Sequence, residues 1–96
     1  MALEARSVQP VVITSDATLK ATGGYIYWIT ISNTHATDAT AVELEDGGTD
    51  RWGVTVETSV DLGAPFHVVF KPPIKCDTSI IIDITGGTVK ATVGFV

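Results

Sequence analysis

Tyr25-Ile26-Tyr27-Trp28-Ile29-Thr30-Ile31-Ser32-Asn33 is a nine-residue block of aromatic and β-branched residues, bounded by Gly23-Gly24 on one side and Thr34 on the other. Such side chains fit a pleated surface better than a helix, so the block predicts a strand, and its unbroken length predicts a central one. On a period of two, Tyr25, Tyr27, Ile29 and Ile31 point to one face, and Ile26, Trp28, Thr30 and Ser32 to the other. The first face belongs to a core. The second opens on Ile26 and Trp28, large groups that require cover from a second layer or another chain.

The same reading extends in both directions. Upstream, Val8-Gln9-Pro10-Val11-Val12-Ile13-Thr14 predicts a short strand in which Pro10 withholds a ladder donor, which favours a sheet edge or the first residues of a strand. Ala17-Thr18-Leu19-Lys20 is a second short strand between turn residues. Downstream, residues 34–40 are small and polar and predict a loop. Residues 41–45 alternate, with Val42 and Leu44 inward and Ala41, Glu43 and Glu45 outward. Asp46-Gly47-Gly48-Thr49-Asp50 supplies a hairpin turn, and residues 51–58 return with Trp52, Val54 and Val56 on one face.

After a break at residues 59–65, residues 66–70 predict a strand that Lys71-Pro72-Pro73 stops, with residues 74–78 as a connection. Residues 79–85 place Ile80, Ile82 and Ile84 against Ile81 and Asp83. Thr85-Gly86-Gly87-Thr88 then predicts a tight hairpin into residues 89–96, where Val89, Ala91, Val93 and Phe95 share a face. Seven to eight short strands with almost no helical period predict an all-β chain: a single antiparallel β-sandwich, jelly-roll or immunoglobulin-like, over residues 8–96, preceded by an N-terminal arm at residues 1–7.

With 96 residues, 45% hydrophobic and only 18% charged, the composition suits one core and leaves apolar surface to spare, which predicts oligomerisation. Eleven acidic against six scattered basic residues give a net charge of -5, the opposite of a phosphate-binding footprint, so nucleic acid is not an expected direct partner. No apolar run is long enough to span a membrane, and residues 1–7 lack the apolar centre of a secretion signal. The lone Cys76 has no disulfide partner within the chain.

Catalytic chemistry finds little support in the residues. His35 and His67 lack a second ligand at zinc spacing, and Cys76 lacks a neighbouring base, so loop, surface and packing roles are expected for them. Glu43, Glu45, Asp46 and Asp50 resemble calcium ligands in composition but not in spacing, and fit a solvated hairpin end. No cleft of the size an enzyme uses is expected in so small a sandwich. Trp28 and Trp52 allow two readings, packing or a platform for sugar rings. The apolar set Ile26, Trp28, Val69 and Ile81, not needed by the first core, is expected to form an oligomer or partner interface.

The order of signals also resembles a known type of protein. From Tyr25 to Asn33, through Leu44-Glu45-Asp46-Gly47-Gly48 and Arg51-Trp52-Gly53-Val54, then Phe70-Lys71-Pro72-Pro73-Ile74-Lys75-Cys76-Asp77-Thr78-Ser79-Ile80, to Gly86-Gly87 and Val93-Gly94-Phe95-Val96, the chain is similar to small β-sandwich virion proteins of tailed bacteriophages. The likeness lies in strand spacing and turn residues, with no chemical motif. It implies a non-enzymatic capsid decoration or cement protein without a cofactor, assembled in the host cytoplasm and bound to the capsid surface. The implied partners are the major capsid protein and other copies of the chain, with a homotrimer favoured. The arm residues Ala2, Leu3, Glu4, Ala5, Arg6 and Ser7 are the expected capsid contact, able to extend and pair with a neighbouring chain. The alternative expectation is a carbohydrate-binding or adhesion module of a phage tail or fibre.

Overall fold

A computed structural model describes residues 8–62 and 64–96, so the arm expected at residues 1–7 lies outside the described residues. The strands are β1 (Gln9–Ile13), β2 (Ala17–Lys20), β3 (Gly24–Asn33), β4 (Thr40–Asp46), β5 (Thr49–Val56), β6 (Phe66–Cys76), β7 (Ile80–Thr85) and β8 (Val89–Phe95), with a single helical turn, α1 (Ser59–Leu62), between β5 and β6. They form two antiparallel four-stranded sheets ordered β1-β8-β3-β6 and β2-β7-β4-β5. Eight strands interleaved in this order between two sheets make a jelly roll, which decides between the two connectivities left open by local pattern.

β4 follows its sequence pattern: Thr40, Val42, Leu44 and Asp46 are buried while Ala41, Glu43 and Glu45 face outward. β4 and β5 form the expected hairpin, closed at Gly47, whose φ of 66° lies in the left-handed region that glycine enters without a side-chain penalty. The core between the sheets is Ile26, Ile29 and Ile31 from β3, Val42 and Leu44 from β4, Val56, Ile80, Ile82, and Val89, Ala91 and Val93 from β8. Cys76 is buried beside them.

β3 is interior, as its composition predicts, but its faces are not those of an unbroken alternation. Ile26 pairs with Ile74 and Phe95, and regular pairing resumes at Trp28, opposite Val69 and Gly94. Tyr27 is therefore an extra residue, and the alternation changes frame across it. Ile26, Ile29, Ile31 and Asn33 all end on the buried side, whereas Tyr25 and Tyr27, expected in the core, are only partly covered.

Opposite Tyr27, the β6 register skips residues 70–73, so Phe70-Lys71-Pro72-Pro73 occupies the space of one residue. This overturns the expected stop at the prolines. β6 is an edge strand, and its prolines, with a cis peptide between Lys71 and Pro72, sit in the bulge where no ladder donor is required. The strand resumes at Ile74-Lys75-Cys76, predicted as a connection.

Gly86-Gly87 is also not a hairpin. β7 and β8 belong to different sheets, so this turn arches across the sandwich. Both glycines have positive φ, 82° and 74°. A Cβ on Gly87 would lie 2.7 Å from Asn33 Oδ1, too close for any other residue without displacement. Asn33 ties this end together: its Oδ1 accepts from the backbone N–H groups of Thr88 (3.0 Å) and His35 (3.1 Å), and its Nδ2 donates to the carbonyls of Asp38 (2.8 Å) and Val56 (3.3 Å). A buried amide with its hydrogen bonds satisfied fixes the loop and the arch against the core.

Candidate interaction surface

The frame change at Tyr27 and the register of the β1-β8-β3-β6 sheet decide which side chains meet on its outer face. One row across the sheet is Pro10, Gly94, Trp28 and Val69; the next is Val12, Thr92, Thr30 and His67; beyond it Lys90 lies opposite Ser32. Trp28 covers Gly94 so closely that any Cβ there would overlap the indole, which explains why a glycine on the outer face is buried. The His67 ring lies 6.3 Å from the indole, and its Nδ1 is 2.6 Å from Thr30 Oγ1.

Around the half-buried Trp28, Val12 and Val69 remain 56% and 50% exposed, although both are large apolar side chains. No carboxylate stands in these three rows, in a chain that carries eleven. The surface is thus apolar at Pro10, Val12, Trp28 and Val69, neutral and polar at Thr30, Thr92 and His67, and basic only at Lys90.

The outer face of the other sheet has the opposite character. Glu43 lies opposite Asp83, and Glu45 opposite both Ile81 and Asp50. Asp16 reaches the same sheet, accepting from the Ile84 N–H at 2.7 Å. Desolvation, followed by repulsion from Asp50 and Asp83, raises the pKa values of Glu43 and Glu45. For Asp83 the leading cause is a hydrogen bond with Asp16, followed by repulsion from the same group. Glu43, Glu45 and Asp83 are thus each harder to ionise than an isolated carboxyl.

The expected interface set is divided by these two faces. Ile26 has no exposed surface and belongs to the core, because the bulge turns it inward; this corrects its assignment to an interface. Trp28 and Val69 are brought together as direct cross-strand neighbours. Ile81 lies on the far side of the sandwich, between Thr18 and Glu45 on the acidic face, and cannot share a contact with them. Pro10 and Val12 were missed because they look like ordinary edge-strand residues until the pairing of β1 with β8 sets them beside Trp28.

Asp46 is likewise no part of a solvated acidic end. Its Oδ1 accepts from the N–H groups of Thr78 (2.7 Å) and Ser79 (3.4 Å), and its Oδ2 from Asp77 N–H (2.9 Å) and Arg51 Nη2 (3.3 Å). The backbone donors of Asp77 and Thr78, chiefly, hold its pKa at about 2. Trp52 packs edge-on to Phe70 at 5.2 Å and tilted to Phe66 at 6.2 Å, closing the side of the sandwich where β5 and β6 lie.

The remaining candidates for chemistry are apart from one another. Burial raises the pKa of the Cys76 thiol, which disfavours the nucleophilic thiolate. His35 Nδ1 accepts from the N–H groups of Thr37 (3.1 Å) and Asp38 (2.9 Å), a loop-ordering role. Among the described residues, no three His, Cys, Asp or Glu side chains are grouped to hold a metal ion. An open cleft of about 490 Å³, larger than expected for this chain, is lined by Thr14, Ser32, Thr34, Gly87, Thr88, Val89 and Lys90, and that lining contains no carboxylate. Compared with known protein families and with curated proteins, the chain matches none.

Proposed function

We propose that the chain is a non-enzymatic structural protein that attaches to the protein surface of a phage head through the outer face of the β1-β8-β3-β6 sheet. The observation that carries this reading is the exposure of Val12 and Val69 around Trp28 on a face that holds no carboxylate among the described residues. Exposed apolar side chains grouped around an aromatic anchor and rimmed by neutral polar groups have the composition of a protein-binding patch. The acidic face on the opposite side keeps the outward surface soluble and discourages stacking of one attached molecule on another. The phage assignment rests on the sequence resemblance, and the jelly roll, a fold used by viral capsid and lectin domains, accommodates it.

The test is co-sedimentation of the purified chain with phage heads lacking it, comparing wild type with Val69→Glu and Val12→Glu. Both changes alter exposed positions and should spare the fold while reducing attachment at least tenfold. Failure of the wild-type chain to bind any head form, expanded or unexpanded, would remove this reading.

A second reading has its own support. A half-buried indole flanked by Thr30, Thr92 and His67 offers a sugar ring both a stacking face and hydrogen-bonding groups. Binding to a glycan array that is lost in Trp28→Ala, with no binding to heads, would favour an adhesion module.

A further inference from the structure

The two sheets have four edges, and three of them are protected against pairing with another strand. β1 carries Pro10 over only five residues. β2 has four residues, a register shift and Lys20. β6 carries Lys71, Pro72, Pro73 and Lys75 and departs from regular pairing at its centre. Short length, proline, lysine and bulges are the devices by which sheet edges avoid adding a foreign strand.

β5 has far less protection. It runs for eight residues without proline or lysine, and its one bulge lies at Arg51, leaving Trp52-Gly53-Val54-Thr55-Val56 in regular register with β4. Among the described residues, no strand of its sheet lies on its other edge. Beside it, Trp52, Phe66 and Phe70 are only partly buried, so the side of the sandwich that exposes this backbone also exposes an aromatic seam.

We propose that β5 is a pairing edge for β5 of a second copy, giving an isologous antiparallel dimer with one continuous eight-stranded sheet. A two-fold axis at Val54 sets Val54 opposite Val54 of the second copy, Trp52 opposite Val56, and Gly53 opposite Thr55. Inward side chains then meet inward ones, outward meet outward, and no like charges stand directly opposite. A second copy is the fitting occupant because it brings the same open edge and the same aromatic seam, so both partners are satisfied in one contact. The carboxylates of Glu43 and Glu45 stay on β4, separated from their counterparts by three strand spacings, about 14 Å and beyond the screening length of about 8 Å at physiological salt.

Antiparallel pairing within a sheet keeps corresponding faces on the same side. Both Trp28 surfaces of the dimer therefore point in one direction, a bivalent attachment that rests on the function proposed above. The arrangement closes as a pair, in place of the trimer implied by the resemblance.

Sedimentation equilibrium of the chain at high micromolar concentration should give twice the 10.1 kDa chain mass. Gly53→Glu with Thr55→Glu places like charges opposite each other across the axis, at two exposed positions, and should return the mass to that of one chain. Gly53→Lys with Thr55→Glu makes the same pairs attractive and should restore the dimer. A wild-type monomer, a trimer, or a dimer insensitive to the Glu pair but dissociated by Val69→Glu would overturn the proposal. Head binding is measured separately: a dimer that fails to bind heads sinks the capsid reading alone, and a monomer that binds them sinks this one alone.

Discussion

Ile26→Ala tests the frame change on which the surface depends. If Ile26 is a core residue, the substitution removes three carbon atoms from a fully buried side chain, a transfer loss of about 2.4 kcal/mol at ~0.8 kcal/mol per carbon. Its neighbours Ile74 and Phe95 are themselves held in strands and cannot fully refill the space. A residual cavity of ~50 Å³ adds ~1.2 kcal/mol at ~24 cal/mol per Å³, for a total of ~3.6 kcal/mol. In a domain of this size that lowers the melting temperature by roughly 15–25 °C. Urea unfolding, followed by far-UV circular dichroism, should therefore show a reduced midpoint with an unchanged slope. Ile81→Ala, on the partly exposed acidic face, is the control and should cost less than ~1.5 kcal/mol. A cost below ~1 kcal/mol at Ile26, matched or exceeded at Ile81, would mean that the alternation runs unbroken through Tyr27 and that the assignment of the outer face is wrong.

Other expectations follow from the same contacts. Because the pKa of Asp46 falls from an ordinary 3.8 to about 2 in the folded protein, its stabilising contribution is complete above pH ~4 and disappears as the pH drops through 2. Asp46→Asn should flatten that acid limb in thermal melts taken from pH 1.5 to 5. Glu43, Glu45 and Asp83 are shifted upward, so their ionised forms oppose folding and stability should first rise as the pH is lowered from neutral through their range. The triple change Glu43→Gln, Glu45→Gln and Asp83→Asn should abolish that rise; a stability curve still climbing toward pH 7 in the wild type would contradict it. Gly94→Val should drive the Trp28 indole off the sheet, read as a red shift in tryptophan emission in a Trp52→Phe background, with no shift if the ring does not lie on Gly94. Trp52→Ala should cost ~3–5 kcal/mol, as its ring packs on Phe66, Phe70 and the core, whereas Trp28→Ala should cost clearly less and act mainly on partner binding; equal losses would argue against an outward-facing Trp28.

What could be read from the sequence depended on whether a signal was local. The alternation of Val42 and Leu44 against Glu43 and Glu45, and the Gly47-Gly48 turn, are decided by neighbours a few residues apart, and β4 and β5 were legible for that reason. The bulge at Tyr27 was not, since it depends on four residues of β6 fitting opposite one residue of β3 from a distant part of the chain. Gly86-Gly87 satisfies the backbone of an inter-sheet arch as readily as that of a hairpin, and only the partner of β8 separates the two. Lys71-Pro72-Pro73 reads as a stop because proline withholds a donor, but an edge strand with a bulge has no use for that donor. Of the candidate surface, Trp28 and Val69 were recognisable as excess apolar residues. Pro10 and Val12 joined them only through pairing across nearly the full length of the chain.

That last pairing has a consequence for biosynthesis. The ladder of β1 runs from Gln9 opposite Phe95 to Ile13 opposite Ala91, so among the described residues the first strand has no hydrogen-bonded neighbour until residues 91–95 have left the ribosome. β3 also waits for β8 on one side. Until then Val11 and Ile13 have no sheet to lie in, and the nascent polypeptide must keep them from pairing with other emerging chains. Folding of this jelly roll is consequently a late, concerted event that follows translation of β8, and a ribosome stalled even one strand early would hold a chain with half of its first sheet unbuilt.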